Sequence, residues 1–468
     1  MSVPTAPSTS GVDRARLRAL LQREQDRFAA RNPSSAAAYQ KADALFGRVP
    51  MTWMNKTSAH FPLYLDTAHG AHVTDIDGHT YVDFSLGDTG AMAGHSPAAV
   101  VTAVRRRVED LGGLAVMLPT EQAQTAGALL AARFGLPRWS FSLTATDANR
   151  WAIRLARAVT GRPKILVNSY CYHGSVDESL IVTSADGGGE PRPGNVGAPV
   201  PVTRTSRVTE FNDLAGLERE LAHGDVAAVL MEPALTNIGI VLPEPGYLDG
   251  VRELTRRTGT LLIIDETHTF CAGPGGATSA WNLEPDVITI GKAIGGGIPA
   301  GAYGLSLDLA ERLLGRPDLD LVDMGGVGGT LAGNALSIAA VCATLGEVLT
   351  DEAFAHMADL AERFQAGVAE VIAEHALPWS VTRLGARVEY RFADPAPRTG
   401  TEAAAVHDQE LDDYLHTYLA NRGILMTPFH NMALMCPATT EPDVDLHSRL
   451  FAEAVAELVG AEPVASAA

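Results

Sequence analysis

The sequence contains few cysteines, few charged residues and no long apolar run. Its 4 cysteines, at positions 171, 271, 342 and 436, are far apart and form no C-x-x-C pair, which predicts neither a disulfide framework nor a zinc site. The longest uncharged stretch, residues 331–346, is too short for a membrane span and is interpreted as a buried helix. Residues 1–12 lack the apolar segment of a signal peptide. We therefore expect a soluble cytoplasmic protein without a metal site.

Basic residues are outnumbered by acidic ones, 36 against 55, which gives a formal net charge of −19. This balance argues against nucleic acid or an anionic membrane as the main partner. The hydrophobic fraction of 46% is ample for a packed core and excludes global disorder. A chain of 468 residues predicts two or three domains, or one large α/β domain with appendages.

Short apolar segments alternate with helical patterns through the middle of the chain, which is typical of a mainly parallel sheet covered on both faces. An Asp-Gly turn at residues 77–78 predicts an earlier hairpin, and a long helical stretch is predicted over residues 334–375. We predict a tail, helices and a β segment over residues 1–96, a large cofactor domain over 97–335 and a small α+β domain over 336–468. Strands are predicted at 164–168, 226–231, 260–265, 286–290, 302–306, 387–392, 424–426 and 432–436, and helices near 13–29, 33–45, 147–160, 213–222, 246–258, 404–421 and 443–459.

Asp265 ends a run of four apolar residues, 261–264, and so lies at the carboxyl edge of a buried strand, where open α/β sheets bind ligands. A strand that ends in Asp-Glu is also found in P-loop ATPases. That alternative requires a G-x-x-x-x-G-K-[ST] segment. The Gly-Lys pair at Gly291 and Lys292 is followed by Ala293, which excludes it.

Lys292 follows the next predicted strand and precedes a glycine cluster at 295–297. Its place, one strand-to-strand step after Asp265, brings an acid and an amine to one edge of the sheet. A lysine desolvated there can form an imine with a carbonyl. Pyridoxal phosphate makes the pair intelligible, because its aldehyde needs the amine and its pyridine nitrogen needs the carboxylate. Its phosphate needs a helix start, and residues 143–149 and 325–330 are the two candidates.

Together these residues resemble the fold-type I pyridoxal-phosphate enzymes, and specifically the class III aminotransferases of the glutamate-1-semialdehyde aminomutase-like branch. The resemblance covers roughly residues 60–435. The matching segments are Asp75 to Gly78, Gly94-His95, Thr144 to Ala148, Tyr172-His173-Gly174, Met231-Glu232-Pro233, Leu262 to Glu266, Gly291 to Gly297, Pro299 to Gly304 and Gly329 to Asn334.

The resemblance implies an α/β fold, with a mainly parallel seven-stranded sheet in the large domain and a small α+β C-terminal domain. It also implies that Lys292 holds pyridoxal 5'-phosphate as a Schiff base, an internal aldimine, and moves the substrate proton, and that Asp265 pairs with the pyridine nitrogen. It implies a homodimer with a shared active site. The remaining implied cofactor contacts are Ala145 and Thr146 at the phosphate, Thr330 at the phosphate of the partner subunit, Tyr172 stacked on the ring, Thr267 on its other face and Asn237 at the phenolic oxygen.

Substrate contacts are the least specified part of the resemblance. The arginines with which a β-amino-acid branch of the family grips a carboxylate are replaced near Trp53 and at Phe429-His430. A carboxylate would therefore need Arg48, Lys56, Arg391 or His430, whereas Trp53, Tyr64 and Phe84 are candidates for an aromatic pocket. His173 is expected to orient the loop that carries Tyr172. For His268, contact with the pocket and a structural hydrogen bond both remain open.

The sequence thus predicts a pyridoxal-phosphate-dependent aminotransferase that moves an amino group from an amino acid or amine to a keto acid or other carbonyl acceptor. The alternatives are an aminomutase, which transfers the group within one molecule, and an epimerase of the same fold. A catalytically silent relative is disfavoured by the presence of Lys292 and Asp265.

Overall fold

The structure is a computed structural model that describes residues 10–319 and 325–461. The α-helices are α1 (Arg14–Arg31), α2 (Pro33–Lys41), α3 (Ala98–Arg106), α4 (Glu121–Phe134), α5 (Ala145–Thr160), α6 (Leu214–Leu221), α7 (Tyr247–Thr258), α8 (Gly276–Ala280), α9 (Leu307–Leu314), α10 (Ala335–Ala343), α11 (Asp351–Glu374), α12 (Gly400–Ala405), α13 (Gln409–Ala420) and α14 (Glu441–Val459). Short 3₁₀ or π turns cover Phe46–Arg48, Thr52–Asn55, Arg107–Leu111, Asp177–Ser179, Val202–Arg204, Thr269–Ala272, Lys292–Gly295 and Thr344–Val348.

The strands form a large sheet and several smaller ones. They are β1 (Leu65–His69), β2 (His72–Asp75), β3 (Thr80–Asp83), β4 (Arg138–Ser142), β5 (Lys164–Asn168), β6 (Ile181–Thr183), β7 (Gly189–Pro191), β8 (Ser206–Thr209), β9 (Val226–Met231), β10 (Leu261–Asp265), β11 (Val287–Ile290), β12 (Gly301–Leu305), β13 (Ser380–Leu384), β14 (Arg387–Arg391), β15 (Ile424–Leu425) and β16 (Met432–Leu434).

The large sheet has seven strands in the order β4-β12-β11-β10-β9-β5-β8. The strands from β11 to β8 are parallel to one another, and β12 is antiparallel to both of its neighbours. Every residue of β9 and β10 is buried, because helices cover both faces of the sheet. The α/β fold with a mainly parallel seven-stranded sheet is therefore confirmed.

Strand β4, at one edge of this sheet, has no counterpart among the strands predicted above. Its residues alternate between exposed and partly buried positions, so it lacks the continuous apolar run that identified β9 and β10. The long helix predicted over residues 334–375 is divided into α10 and α11 by a π turn. Thr350 accepts the backbone N–H of Ala353 and begins α11.

The predicted hairpin is formed by β2 and β3, which pair antiparallel. Strand β15 joins their sheet by pairing parallel with β3, so the chain returns to the N-terminal segment at residues 424–425. A separate sheet, β13-β14-β16, packs against α11, and the Tyr390 ring of β14 lies 5.0 Å from the Phe451 ring of α14. The domain bounds proposed from the sequence stay a prediction. Among the described residues, no helix is long and apolar enough to cross a membrane.

Candidate active site

A cavity of about 1280 Å³ opens beside the carboxyl ends of β10 and β11. Ligands bind at this edge of open α/β sheets. The cavity is lined by most of the residues predicted to contact the cofactor, namely Ala145, Thr146, Tyr172, Asp265, Thr267 and Lys292.

Asp265 is the last residue of β10, and its buried carboxylate receives several hydrogen bonds. Its Oδ2 lies 2.8 Å from Nδ1 of His173 and accepts from Nδ2 of Asn149 at 2.8 Å. The backbone N–H of Thr267 donates to Oδ1 at 3.0 Å. Burial is the largest single effect and raises the pKa of this carboxyl group. The hydrogen bond and charge of His173 and the hydrogen bonds from Thr267 and Asn149 together outweigh burial and hold the pKa of Asp265 below its ordinary value. Asp265 is therefore a fixed negative charge in the cavity wall.

Lys292 follows β11 after Gly291 and has a left-handed backbone with φ of 48°. Its Nζ lies 2.8 Å from Oδ2 of Asp88 and 2.9 Å from Nε2 of His268, and it donates to the Asp88 carbonyl at 2.9 Å. Because β10 and β11 are parallel neighbours with Asp265 opposite Thr289, the acid and the amine meet at one edge of the sheet.

The first turn of α5 forms another wall of the cavity. The Thr144 side chain caps the helix by accepting the backbone N–H of Asp147 at 3.2 Å. The next backbone N–H groups, at Ala145 and Thr146, lack partners within the helix and favour an anion. The residue after β11, Gly291, packs closely against this turn, since a Cβ at Gly291 would lie 2.8 Å from the Ala145 nitrogen. This turn presents beside Lys292 the N–H groups that a phosphate would need.

These residues fit pyridoxal phosphate. Lys292 would supply the amine, Asp265 the carboxylate for the pyridine nitrogen, and the start of α5 the N–H groups for the phosphate. The hydroxyl of Thr267 is buried at the cavity and has no hydrogen-bond partner among the described residues. Within residues 10–319 and 325–461, no group of three or more His, Cys, Asp and Glu side chains is placed to hold a metal ion.

Aromatic side chains form the outer part of the cavity. The Trp53 ring lies 5.3 Å from the Tyr172 ring and 5.9 Å from the Phe429 ring, measured between centroids. The Lys56 ammonium lies 5.1 Å from the Trp53 ring and 4.9 Å from the Phe429 ring. Burial, with a smaller effect of Arg192, lowers the pKa of Lys56. A cation held between two rings, without an acidic partner among the described residues, can receive a substrate carboxylate.

Several predicted contacts lie outside the cavity lining. Asn237 is not among the lining residues. Arg48 donates to the Gln40 carbonyl at 3.0 Å, and His430 is buried with its Nδ1 3.4 Å from Glu389. Thr330 lines a separate surface groove with the glycines of residues 326–329.

The aromatic pocket proposed from the sequence is correct only in part. Tyr64 lines the cavity beside Trp53. Phe84 is instead fully buried in the core, 5.6 Å from the Phe364 ring. Its position at the end of an alternating strand could not distinguish a core face from a pocket face.

Sequence reasoning missed Asp88, Asn149 and Arg387. Asn149 donates to Asp265 and accepts from the Thr289 hydroxyl at 2.6 Å, and a polar residue one turn into an apolar helix was the available signal. Asp88 belongs to a Gly-rich turn, and Arg387 begins a strand 95 residues after Lys292. No local pattern connects these two to Lys292.

Comparison with known families identifies a match over most of the chain. The sequence model described as Aminotransferase class-III matches residues 53–450. Among curated relatives, glutamate-1-semialdehyde 2,1-aminomutase of Chloroflexus aggregans is 34% identical over 407 residues, which are 85% of this chain and 91% of the relative.

Solved structures give the same result. A glutamate-1-semialdehyde-aminomutase from Pseudomonas aeruginosa PAO1, also solved in complex with PMP, superimposes with a TM-score of 0.92 at 49% identity. The match covers 96% of this chain and 100% of that one. An omega-transaminase from Sphaerobacter thermophilus superimposes with a TM-score of 0.83 at 30% identity and covers 92% of this chain and 99% of its own.

Proposed function

Since this chain belongs to the class-III aminotransferase family, whose cofactor is pyridoxal phosphate, we propose that it is an aminomutase acting on an amino aldehyde such as glutamate 1-semialdehyde. The observation that supports this proposal most strongly is the 49% identity, over 96% of this chain, to the Pseudomonas aeruginosa aminomutase. The arrangement of Lys292 and Asp265 around one cavity supports amino-group chemistry. The proposed reaction exchanges the amino and oxo groups of neighbouring carbons within one molecule.

The residues have separate roles in this proposal. When bound, pyridoxal phosphate supplies an electron-withdrawing ring that stabilises negative charge on the carbon next to the amino group. Asp265 holds the pyridine nitrogen, and its depressed pKa keeps the carboxylate charged at working pH. The Lys292 amine removes a proton from carbon and returns it to the neighbouring position. Tyr172 lies against one face of the ring and Thr267 against the other, and Ala145 and Thr146 bind the phosphate.

Lys56 is the proposed contact for a substrate carboxylate. It lines the cavity between Trp53 and Phe429 and lies near the cationic Arg192. Together the two cations create a positive region in a protein whose net charge is −19. Glutamate 1-semialdehyde carries a carboxylate that would match this region.

The experiment supplies the holoenzyme with glutamate 1-semialdehyde labelled with ¹⁵N and no other amino donor or acceptor. We expect 5-amino-4-oxopentanoate that retains the label. Lys292→Ala should lower the rate by about 10⁴-fold, because the base that moves the proton is lost. No product from the wild-type holoenzyme would contradict the aminomutase proposal.

An aminotransferase is the second candidate, favoured by the 30% identity to the omega-transaminase and by the volume of the cavity. It predicts that product forms only after a separate keto acid is added, and that ¹⁵N appears in the amino acid made from it. Running the same assay with and without the keto acid therefore distinguishes the two reactions.

We also propose a homodimer. Apolar side chains of residues 108–118 are exposed, and Phe46 is exposed beside the cavity-forming segment. Thr330 lies in a groove distinct from the Lys292 cavity, so its expected phosphate contact requires a second copy of the chain. Such an exposed apolar segment favours association with a partner.

A further inference from the structure

The reactive amine has acceptors from two other segments of the chain. Asp88 contributes a carboxylate oxygen at 2.8 Å and a carbonyl at 2.9 Å, and His268 contributes Nε2 at 2.9 Å. An ammonium group has three protons to donate and no lone pair. The three contacts therefore form a complete ammonium site at the position of Nζ.

Asp88 is held in the site by an unusual backbone. Leu86, Asp88 and Thr89 all have left-handed backbones, with φ of 43°, 50° and 81°. Non-glycine residues adopt this conformation only when the surrounding structure imposes it, and such strain concentrates at functional sites. Leu86 and Thr89 are fully buried, which anchors the turn and directs the Asp88 carboxylate to Lys292.

His268 presents an unprotonated nitrogen to the ammonium. Because the Lys292 ammonium can only donate, Nε2 of His268 must accept, so Nδ1 carries the hydrogen and donates to the Thr89 hydroxyl at 2.9 Å. Burial and the charge of Lys292 hold the pKa of His268 well below its ordinary value, against the opposing effect of Asp88. The imidazole is therefore neutral and is placed to take a proton.

Arg387 supports the carboxylate from the other side. Its fully buried guanidinium lies 3.4 Å from Asp88 Oδ1, and its Nε and Nη1 have no hydrogen-bond partner among the described residues. Separating a buried charge from its one ion-pair partner costs free energy, because the charge is then left buried and unpaired. Arg387 thus acts as a positioning residue, and after Lys292 and His268 it also helps to hold the pKa of Asp88 below its ordinary value. The charged groups that face His268 are Lys292, Asp88, Arg387 and Asp265.

We propose that Asp88 and His268 form an amine-exchange site, in which Asp88 holds the ammonium group of an incoming amine and His268 removes its proton. The inference rests on the proposed amino-group chemistry, because an amine must displace Lys292 from the cofactor. An ammonium has no lone pair and cannot attack. The position that Nζ occupies in this structure is open to the substrate amine when Lys292 is bound to the cofactor.

The proton transfer is balanced within the site. An N–H bond of the incoming ammonium breaks, its electron pair stays on nitrogen, and an N–H bond forms at Nε2 of His268. The imidazolium is stabilised by Asp88, whose Oδ1 lies 3.8 Å from Nδ1. Lys292 is then released as the free amine and keeps its lone pair, while His268 holds the proton. In the protein without cofactor, Lys292 is an ammonium that Asp88 holds as seen here.

The experiment compares two simple amines that displace Lys292 in the holoenzyme, followed by the visible absorption of the cofactor at pH 7.5. Methylamine arrives as an ammonium and needs deprotonation, whereas methoxyamine is a weak base and arrives neutral. We expect His268→Gln to slow displacement by methylamine by about 100-fold and displacement by methoxyamine by less than about threefold. His356→Gln, a histidine outside the cavity whose ring bonds the Thr439 carbonyl, is the matched control and should change neither rate.

Equal slowing of both amines would show a structural role for His268 and overturn the proposal, and so would unchanged rates. His268→Asn repeats the comparison with a shorter amide if the glutamine variant does not fold. In the apoprotein, Asp88→Asn should raise acylation of Lys292, read by peptide mass spectrometry, by about tenfold, because loss of the carboxylate destabilises the ammonium form. An unchanged acylation rate overturns the role of Asp88.

These readouts use simple amines or the apoprotein and do not depend on the natural substrate. If glutamate 1-semialdehyde is not converted, but His268→Gln still slows displacement by methylamine much more than displacement by methoxyamine, the proposed function fails and the amine-exchange site stands. If the isomerisation proceeds and the two amines are slowed equally, the amine-exchange site fails alone.

Discussion

Gly291 is the point at which the strand that precedes Lys292 meets the first turn of α5, the proposed phosphate cradle. A methyl group there would lie 2.8 Å from the Ala145 nitrogen and 2.9 Å from its Cβ, and both belong to the first turn of α5. Gly291 has extended φ of −156°, so the substitution is limited by space and not by backbone strain. We expect Gly291→Ala to displace the cradle and to weaken cofactor binding by about tenfold or more, measured by fluorescence titration of the apoprotein.

Gly273→Ala is the matched control for this prediction. Nothing lies within 4 Å of a Cβ at Gly273, and its φ of 165° is extended backbone. Its cofactor affinity should equal that of the wild type. A Gly291→Ala protein with wild-type affinity would show that the cradle can move without cost.

Residues differ in how far the sequence predicts their placement. Asp265 and Lys292 were predicted to meet because each follows an apolar strand, and parallel strands end at one edge. Asp88 and Arg387 reach Lys292 only through tertiary structure, one from a strained turn and the other from β14. Their charge gave no reason to expect contacts inside the protein, since charged residues are mostly exposed. Such contacts follow from the packing of distant segments and not from local pattern.

At the scale of elements, α11 and α14 pack around a histidine that has no polar partner. The His447 ring stacks on Phe364 of α11 at 4.0 Å and lies 5.8 Å from the Phe451 ring. Both ring nitrogens are buried without a hydrogen-bond partner among the described residues. Burial lowers the pKa of His447 to about 3. The helix pair therefore accommodates only the neutral imidazole.

This histidine makes the helix pair sensitive to acid. Below about pH 6.5 the unfolded chain binds a proton at His447 that the folded chain does not bind, so stability falls as pH falls. As the pH falls from 7 to 5, we expect the free energy of unfolding of His447→Leu to rise by about 2 kcal/mol relative to that of the wild type. Urea unfolding at both pH values measures this difference. His223→Leu, at an exposed histidine after α6, is the control. Parallel stability curves for the wild type and His447→Leu would contradict the prediction.

Elements were predictable where burial leaves a clear pattern. Strands β9 and β10 are buried along their whole length and coincide with the predicted apolar runs, within one residue. Strand β4 was missed because an edge strand is only half buried. The break between α10 and α11 was also missed, since Thr350 begins a helix through one hydrogen bond that composition does not reveal.

At the scale of the whole molecule, one exposed segment is apolar although the chain is acidic overall, with a net charge of −19. Met117 is 84% exposed and Leu118 is 73% exposed, within a segment in which other apolar side chains are also exposed. A contiguous apolar region of this kind marks an interface. The net charge of −19 opposes non-specific association, so the proposed dimer would form through this localised apolar segment.

We expect the wild type to sediment at twice the chain mass of 49.3 kDa and the double variant Met117→Glu/Leu118→Glu to sediment as a monomer, because two buried carboxylates oppose association. The control is Val196→Glu, at an isolated apolar residue that is 90% exposed. It should remain dimeric. The monomeric variant should also lose cofactor affinity by about tenfold or more, since Thr330 would no longer reach the phosphate of a partner. A wild type of 49.3 kDa that binds the cofactor tightly would instead show that one chain completes its own cradle.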